Sequence, residues 1–255
     1  MAPAKSEVKV KSLQKALTIL DCFTDKQPLS ITEISERLGL YKSNVYDILS
    51  TFTAMGYLSK SEESGKYYLG MNAVRLGRAA GERYSFQNIA AARLEQLAES
   101  TGEIAYLTVP LGYQVYYLNT AFPKNNISAH TVAMLYNSSE PMHLTSSGKA
   151  MLSRMSQSFV DEYLSMPLAR ATEYSITDPG LIREELARIR MRGYAIDDQE
   201  NAIGLRCVGV PIVDKIGDVL GAISVSGPIM HFTKDKIESF AKLLLEQACE
   251  ITNNL

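Results

Sequence analysis

The chain contains no tryptophan and only three cysteines among its 255 residues. Cys22, Cys207 and Cys249 lie far apart and are odd in number, which gives no basis for a disulfide framework and favours a reducing cytoplasm. No apolar run reaches the roughly 18–20 residues that a membrane-spanning helix needs. The lysine-bearing N-terminus lacks the apolar segment of a secretory signal. The sequence therefore predicts a soluble cytoplasmic protein with no membrane partner.

Motifs of common enzymes are missing or incomplete. The histidines stand singly, without the spacing of a zinc site. They are His130, His143 and His231. Gly148-Lys149 resembles the end of a phosphate-binding loop, but Ala150 stands where that loop needs serine or threonine. We therefore predict no metal, no cofactor and no enzymatic activity, although a nucleophilic pair of Cys207 and His143 stays open because both residue types are present.

Charge is distributed unevenly along a chain whose net charge is only -2. Residues 1–80 hold eleven basic and eight acidic residues, an excess of three positive charges. The remainder holds fifteen basic and twenty acidic residues, an excess of five negative charges. A basic front and an acidic back are compatible with nucleic acid as the partner of the first part alone.

Three short helices are predicted in the first part of the chain. The first is expected to start at an N-cap, Ser12, and to bury the residues that recur at helical spacing, which are Leu13, Ala16, Leu17 and Leu20. Ser30 and Glu33 form the capping box of the second, and Gly39 suits its left-handed end. The third begins at Lys42 and buries an apolar stripe made of Val45, Ile48, Leu49 and Phe52.

A short helix, a tight turn and a longer helix with a polar outer face are typical of a helix-turn-helix. After Gly56, two short strands flank a polar turn, which predicts a hairpin in the position of a wing. Short polar side chains can approach base edges in the major groove, and lysines on a wing can contact phosphate. The predicted DNA-contacting residues are Lys42, Ser43, Asn44, Tyr46, Asp47, Thr51, Lys60 and Lys66. A structural three-helix bundle with a solvated polar face is the alternative.

The second part of the chain alternates strands with flanking helices. A hairpin is predicted around Gly112, and two apolar strands cover residues 208–213 and 219–225. Helices are predicted to start at Ser146 or Ser147, and at Asp178-Pro179 with Leu181 among its buried residues. A last helix buries an apolar face between Ile237 and Ile251. This arrangement predicts an α+β domain on an antiparallel sheet.

Several motifs resemble the IclR family of transcription regulators. In the first part they are residues 12–20 (SLQKALTIL), 29–40 (LSITEISERLGL), 42–46 (KSNVY), 56–58 (GYL) and 68–70 (YLG). In the second they are residues 192–198 (RGYAIDD), 200–207 (ENAIGLRC) and 221–228 (GAISVSGP). Tyr41 departs from the proline usual in the turn, and Asp47 stands where the family often has a basic side chain or histidine.

The resemblance implies a winged helix-turn-helix domain at residues 1–70, a linker helix at 71–84 and a GAF-like α/β effector-binding and oligomerisation domain with a central antiparallel sheet at 85–255. It also implies a DNA operator and a small-molecule effector as partners. The residues themselves favour a carboxylate-bearing metabolite, because a helix that starts at Ser146 or Ser147 offers unpaired amides and hydroxyls. Ser224 and Ser226 share one strand face, and the carboxylate expected in such a pocket is Asp197 or Asp198. The effector contacts carried over are Ser146, Ser147, Asp197, Cys207, Ser224 and Ser226. We expect a repressor that forms a homodimer or a dimer of dimers, because one short recognition helix buries too little surface to select one genomic site. An enzyme or sensor that does not use DNA is the rival class.

Overall fold

The computed structural model describes residues 8–81, 86–124 and 139–254. The chain divides into two compact units, Met1–Ser85 and Phe86–Leu255. The predicted linker helix at 71–84 is described as far as Gly81, and the rest of it lies outside the described residues together with His130. The domain limits at 70 and 84 stay predictions.

Four helices and a hairpin make up the described part of the first unit. They are α1 (Lys11–Asp25), α2 (Ile31–Leu38), α3 (Lys42–Ala54), β1 (Leu58–Lys60), β2 (Tyr67–Leu69) and α4 (Met71–Gly81). The buried core of this unit comes from α1, α2, α3 and the hairpin, with Ile19, Phe23, Ile34, Val45 and Leu49 almost inaccessible to solvent.

The start and the end of α2 follow the sequence prediction closely. The Ser30 hydroxyl accepts a hydrogen bond from the Glu33 amide at 3.2 Å, and the Glu33 carboxylate accepts one from the Ser30 amide at 2.8 Å. Gly39 ends α2 with φ 64°, a left-handed conformation that costs little without a Cβ. These two devices confirm the predicted boundaries of α2.

The buried face of α1 was predicted only in part, since Leu20 packs against the core as expected. Leu13 and Leu17 are 56% and 48% exposed, whereas Ile19, Cys22 and Phe23 pack into the core. The helix begins at Lys11 after Val10, so Ser12 is not its N-cap. Two overlapping apolar stripes exist on this helix, and spacing alone does not show which one the rest of the fold covers.

An isolated β-bridge connects the hairpin to the segment before α2. Leu29, just before α2, exchanges two backbone hydrogen bonds with Tyr67 of β2, at 2.9 and 2.8 Å. The wing is thereby attached to the segment that leads into the helix-turn-helix, which fixes its position relative to α2.

The second unit contains a six-stranded sheet and five helices among its described residues. The strands are β3 (Ile104–Leu111), β4 (Gln114–Ala121), β5 (Ser139–Pro141), β6 (Ala195–Asp198), β7 (Leu205–Val213) and β8 (Val219–Pro228). The helices are α5 (Phe86–Thr101), α6 (Ser146–Leu152), α7 (Gln157–Leu164), α8 (Pro179–Arg192) and α9 (Lys234–Asn253). All strand pairs are antiparallel, in the order β5-β4-β3-β8-β7-β6. This confirms the predicted α+β fold.

Helices pack against this sheet in two groups. Helices α5 and α9 contact each other, with α5 against β3 and α9 against β7. Helix α6 lies against β7 and β8 and, with α7 and α8, forms a separate apolar core. Because successive residues of a strand point to opposite faces, Cys207 and Gly209 share the side of β7 that faces α6.

Two glycines allow α6 to lie directly on the sheet. A Cβ on Gly209 of β7 would come within 2.9 Å of the Ser146 carbonyl carbon and the Ser147 nitrogen. A Cβ on Gly148 would overlap the backbone of Met142, in the 3-10 turn that precedes α6. Glycine is therefore required on both sides of the helix start.

Two local predictions in this unit need correction. The N-cap of α6 is Thr145, whose hydroxyl accepts from the Gly148 amide, and not Ser146 or Ser147, which lie inside the first turn. Leu181 is 52% exposed although it was expected inside, because α8 buries only Ile182, Leu186 and Ile189. The Asp178 cap, the Pro179 start and the end at Gly193 agree with the prediction.

Replacing Gly148 with alanine tests this close approach. We expect Gly148→Ala to lower the free energy of unfolding by about 1–3 kcal/mol, the usual cost of forcing extra volume into a packed region. Gly77→Ala is the matched control, because Gly77 is also helical and no atom lies within 4 Å of its Cβ position. That control should gain roughly 0.5–1 kcal/mol. Urea denaturation measures both, and equal effects of the two substitutions would contradict the packing argument.

Candidate DNA-binding surface and ligand cavity

The outer face of α3 presents all six DNA-contacting residues predicted for this helix. Lys42, Ser43, Asn44, Tyr46, Asp47 and Thr51 are exposed. Val45 and Leu49 are buried on the opposite side, so the apolar stripe and the polar face fall where helical spacing predicted. The helix thus offers hydroxyl, amide, carboxylate and ammonium groups to an incoming surface.

The two unusual residues of this region are both accessible. Tyr41, at the N-cap of α3, is 82% exposed. The Asp47 backbone carbonyl accepts the Thr51 hydroxyl at 2.8 Å, which draws Thr51 back toward its own helix. Within the described residues the Asp47 carboxylate has no salt-bridge partner, so its charge is available to a partner from outside.

The two wing lysines differ in their surroundings. The Lys60 Nζ lies 5.5 Å from the centre of the Tyr67 ring and is otherwise exposed. The Lys66 Nζ bonds Glu33 Oε2 at 3.2 Å, while Lys26 bonds the other oxygen of the same carboxylate at 3.2 Å. The pKa of Glu33 is lowered to about 2, first by the hydrogen bond from the Ser30 backbone and then by the Ser30 hydroxyl and the two lysines. Lys66 is therefore already partly neutralised.

A cavity whose water-accessible volume is about 30 Å³ lies between the sheet, the start of α6 and the loop after β6. All six predicted effector contacts line it, and they are Ser146, Ser147, Asp197, Cys207, Ser224 and Ser226. Six further lining residues were not predicted, and they are Tyr106, Tyr117, Thr145, Asn201, Ala202 and Leu205.

Strand register explains why residues distant in sequence meet here. Asp197 lies opposite Cys207, and Cys207 lies opposite Ser226, so β6, β7 and β8 form one row. In the next row Tyr106 of β3 lies opposite Ser224. Side chains at directly opposed positions share a face of the sheet. The floor of the cavity is therefore a continuous polar patch across four strands.

Hydrogen bonds inside the cavity leave several protons unused. The Ser147 hydroxyl donates to the Ser224 oxygen at 2.9 Å. The Cys207 thiol donates to the Ser226 oxygen at 3.0 Å. Each accepting serine keeps its own O–H proton, because a hydroxyl both accepts and donates. Ser224 and Ser226 can thus donate to a ligand.

Two tyrosines, one from β3 and one from β4, form part of the cavity wall. The rings of Tyr106 and Tyr117 meet edge to face, with centroids 5.2 Å apart. Burial raises the pKa of both hydroxyls, so each stays a neutral donor. Within the described part of the chain neither hydroxyl has a hydrogen-bond partner. Alternation along β3 and along β4 indicates which side chains share a face of each strand. Only the pairing register between the two strands puts Tyr106 and Tyr117 on the same face of the sheet.

Asp197 is the acidic group of the cavity. Its Oδ1 accepts from the Glu200 amide at 2.8 Å and from the Asn201 amide at 3.4 Å, which ties the start of the lining loop to β6. Burial raises the pKa of Asp197 to about 6, although Lys149 and these amides act in the opposite direction. The whole Asp197 residue is 3% exposed, and it lines the cavity.

A buried ion pair lies behind this carboxyl and was not predicted. The Lys149 Nζ of α6 bonds Glu200 Oε1 in a short contact, with the two side chains 2% and 8% exposed. The other carboxylate oxygen, Oε2, has no partner among the described residues. Burial raises the pKa of Glu200 to about 7 against the effect of Lys149. The pair connects α6 to the loop that lines the cavity.

Geometry argues against the nucleophilic pair that the sequence left open. The His143 Nε2 lies 2.9 Å from the Ala169 carbonyl and its Nδ1 lies 2.6 Å from the Tyr163 hydroxyl. The carbonyl accepts from Nε2, so Nδ1 accepts from the tyrosine, and neither nitrogen is left to take a proton from a thiol. The pKa of the Cys207 thiol is raised well above its ordinary value, mainly by burial, and the thiol therefore stays protonated.

Membrane spans and metal-ligand clusters are both absent from the part of the chain that the structure describes. No helix in the described ranges is long and apolar enough to cross a membrane. No three histidine, cysteine, aspartate or glutamate side chains of these residues come together as metal ligands would.

Known proteins share both units of this chain. The family described as "IclR helix-turn-helix domain" matches residues 12–62, and "Bacterial transcriptional regulator IclR C-terminal" matches residues 80–253. The HTH-type transcriptional regulator BhcR of Paracoccus denitrificans is 32% identical over 244 residues, covering 95% of this chain and 86% of that protein. The transcriptional repressor IclR of Escherichia coli is 29% identical over 257 residues, covering 99% and 92%.

A solved structure shares the fold at lower identity. The IclR homologue of Microbacterium hydrocarbonoxydans, crystallised in complex with 4-hydroxybenzoate, aligns with a TM-score of 0.83 and 24% identity over 96% of this chain and 98% of its own. The family matches span the helix-turn-helix and the whole sheet domain, and the curated relatives are transcription regulators and not enzymes. The chain belongs to the IclR family of DNA-binding transcription regulators.

Proposed function

We propose that this regulator is a repressor that reads its operator with α3 and the wing and responds to a small carboxylate bound in the cavity of the second unit. The observation that carries the proposal is the convergence of Ser146, Ser147, Asp197, Cys207, Ser224 and Ser226 on one enclosed space. The repressor assignment is supported by relatives such as the transcriptional repressor IclR of Escherichia coli.

Operator reading is assigned to the middle of the exposed face of α3. Asn44 can form two hydrogen bonds with an adenine edge, and Asp47 can accept from a cytosine amino group. Tyr46 is 52% exposed beside them and offers a hydroxyl and an apolar ring. Lys42 at the helix start and Lys60 on the wing are assigned to phosphate.

Removing two side chains from this face tests the operator role. We expect Asn44→Ala with Tyr46→Ala to abolish the preference for operator over random DNA and to leave the fold intact, because both residues are exposed. A mobility-shift assay on the DNA upstream of the coding region measures the preference, and thermal unfolding checks the fold. Tyr174→Ala is the control, since Tyr174 is 50% exposed in the second unit. Retained preference, or an unfolded variant, would contradict the assignment.

The two wing lysines should contribute unequally to the salt dependence of DNA binding. Removing one lysine from its phosphate makes the slope of log K against log salt shallower by about 0.9. We expect about that change for Lys60→Ala and a smaller one for Lys66→Ala, because Lys66 already bonds Glu33 at 3.2 Å. Fluorescence anisotropy at salt concentrations from about 0.05 to about 0.2 M measures both slopes. The idea is wrong if Lys66→Ala changes the slope more than Lys60→Ala.

The chemical class of the effector follows from the donors in the cavity. Ser224, Ser226, Tyr106 and Tyr117 all have O–H protons to offer, and these protons suit a ligand rich in acceptor oxygens. A small carboxylate, with or without hydroxyl or keto groups, has this character. The fold neighbour from Microbacterium hydrocarbonoxydans, complexed with 4-hydroxybenzoate, supplies a first compound to try.

Removing both serine hydroxyls of β8 tests the cavity. We expect Ser224→Ala with Ser226→Ala to weaken binding of a small carboxylate by at least tenfold, since hydrogen bonds to a charged group contribute about 1.5–3 kcal/mol each. A thermal-shift screen of small organic acids, followed by calorimetry, gives the affinities. Ser239→Ala, on the exposed side of α9, is the control. A ligand whose affinity survives the double substitution binds elsewhere.

Effector response requires coupling to DNA binding. We infer that two copies of the chain bind two half-sites of the operator. The two recognition helices can then be spaced for DNA binding or not, and the ligand favours one of these two arrangements because it binds that arrangement more tightly. The exposed apolar side chains of Val10, just before α1, and of Leu13 and Leu17 on α1 support self-association, because neighbouring uncovered apolar side chains mark contact surfaces.

A further inference from the structure

The ligand cavity is lined by one carboxylate and by no lysine or arginine among the described residues. Asp197 is that carboxylate, and the other polar lining groups are hydroxyls, one thiol and one amide. An anionic ligand would therefore face a negative charge at close range and no positive one. Such repulsion is strong in a site shielded from water.

The nearest cation is already in an ion pair. Lys149 lies behind Asp197, 2% exposed, and bonds Glu200. Asp197 and Glu200 lie close enough for each to sense Lys149, and Asp197 raises the pKa of Glu200. Two buried carboxyls thus share one ammonium, and the three groups carry a net negative charge only when both carboxyls are ionised.

Other titratable groups around the cluster do not supply a second cation. Tyr117 of β4 and Cys207 of β7 face Asp197, and both are neutral. The neutral Tyr106 of β3 faces Cys207, and Glu140 of β5 faces Tyr117. Glu185 of α8 faces Glu200 but is paired with Arg188 and Arg192. His143 lies near Lys149 with both ring nitrogens engaged. Asp198 bonds Arg206, and both alternate with Asp197 and Cys207 to the opposite face of the sheet.

We propose that a carboxylate ligand enters this cavity together with one proton, which the Asp197–Glu200 pair takes up from solvent, so that affinity for the ligand falls as the pH rises. The ligand stays ionised, one carboxyl of the pair becomes neutral, and the total charge of the cluster with its ligand equals that of the empty cluster. When the proton is on Asp197, which lines the cavity, that carboxyl gains an O–H that can donate to the ligand. This inference depends on the proposed function, namely that the cavity binds a small carboxylate.

The direction of the pH effect follows from linkage. Burial places the pKa of Asp197 at about 6 and that of Glu200 at about 7 in the free protein. Below these values the proton is already present, so affinity is nearly constant. Above them the proton must be taken up on binding, and affinity falls up to tenfold for each pH unit.

Calorimetry on the full chain tests the proposal. The probes are acetate, pyruvate, benzoate and 4-hydroxybenzoate, each compared with its uncharged amide at pH 6, 7 and 8. We expect the dissociation constant of a bound carboxylate to rise about fivefold from pH 7 to 8, because a group with a pKa of about 7 is still half protonated at pH 7, and that of its amide to stay constant. Titrations at pH 8 in phosphate and in Tris, which differ in ionisation enthalpy, should show uptake of close to one proton.

Two substitutions locate the proton. Asp197→Asn leaves Lys149 and Glu200 as a one-to-one pair, and Glu200→Gln leaves Lys149 facing Asp197 alone. Each should remove the pH dependence, and either suffices if the other does not fold. A carboxylate that binds with constant affinity and no proton uptake overturns the inference and leaves the proposed function intact. Failure of every carboxylate to bind at any of these pH values overturns both.

Discussion

The approach of the α6 start to strand β7 determines where Ser146 and Ser147 lie over the strand residues of the cavity. Gly209 lets the backbone of Ser146 and Ser147 rest on the strand, and Gly148 lets Met142 close in from the other side. With a side chain at either glycine the helix start would move away from the sheet. The Ser147 hydroxyl would then no longer reach Ser224, which is 2.9 Å away.

The same packing creates the unusual electrostatics of the site. Because α6 packs against the sheet, Lys149 is removed from solvent, and its only salt-bridge partner among the described residues is Glu200 of the neighbouring loop. The loop is then held above Asp197, whose carboxylate accepts hydrogen bonds from two amides of the loop. Geometry and charge are therefore not independent here, since the ion pair that positions the cavity wall is also the reason that the wall offers no free cation.

Local sequence patterns predicted the features that depend on neighbouring residues. The capping box at Ser30, the left-handed end at Gly39 and the outer face of α3 follow from spacing within a single helix. The α1 face failed for a reason that is not local. Leu13 and Leu17 recur at helical spacing, and so do Ile19 and Phe23. Only the packing of the other helices shows which of the two sets is covered.

The cavity shows the same division between local and long-range information. Alternation along β8 was enough to put Ser224 and Ser226 on one face, and the family resemblance added Asp197 and Cys207. Tyr117 was missed because a register shift between Leu107 and Thr108 places it opposite Thr108, on the face that Tyr106 shares. Lys149 and Glu200 were missed because 51 residues separate them and nothing local marks either as a partner. Half of the lining residues were therefore within reach of sequence reasoning and the family resemblance, whereas the charge balance of the cavity, on which ligand choice depends, required the fold.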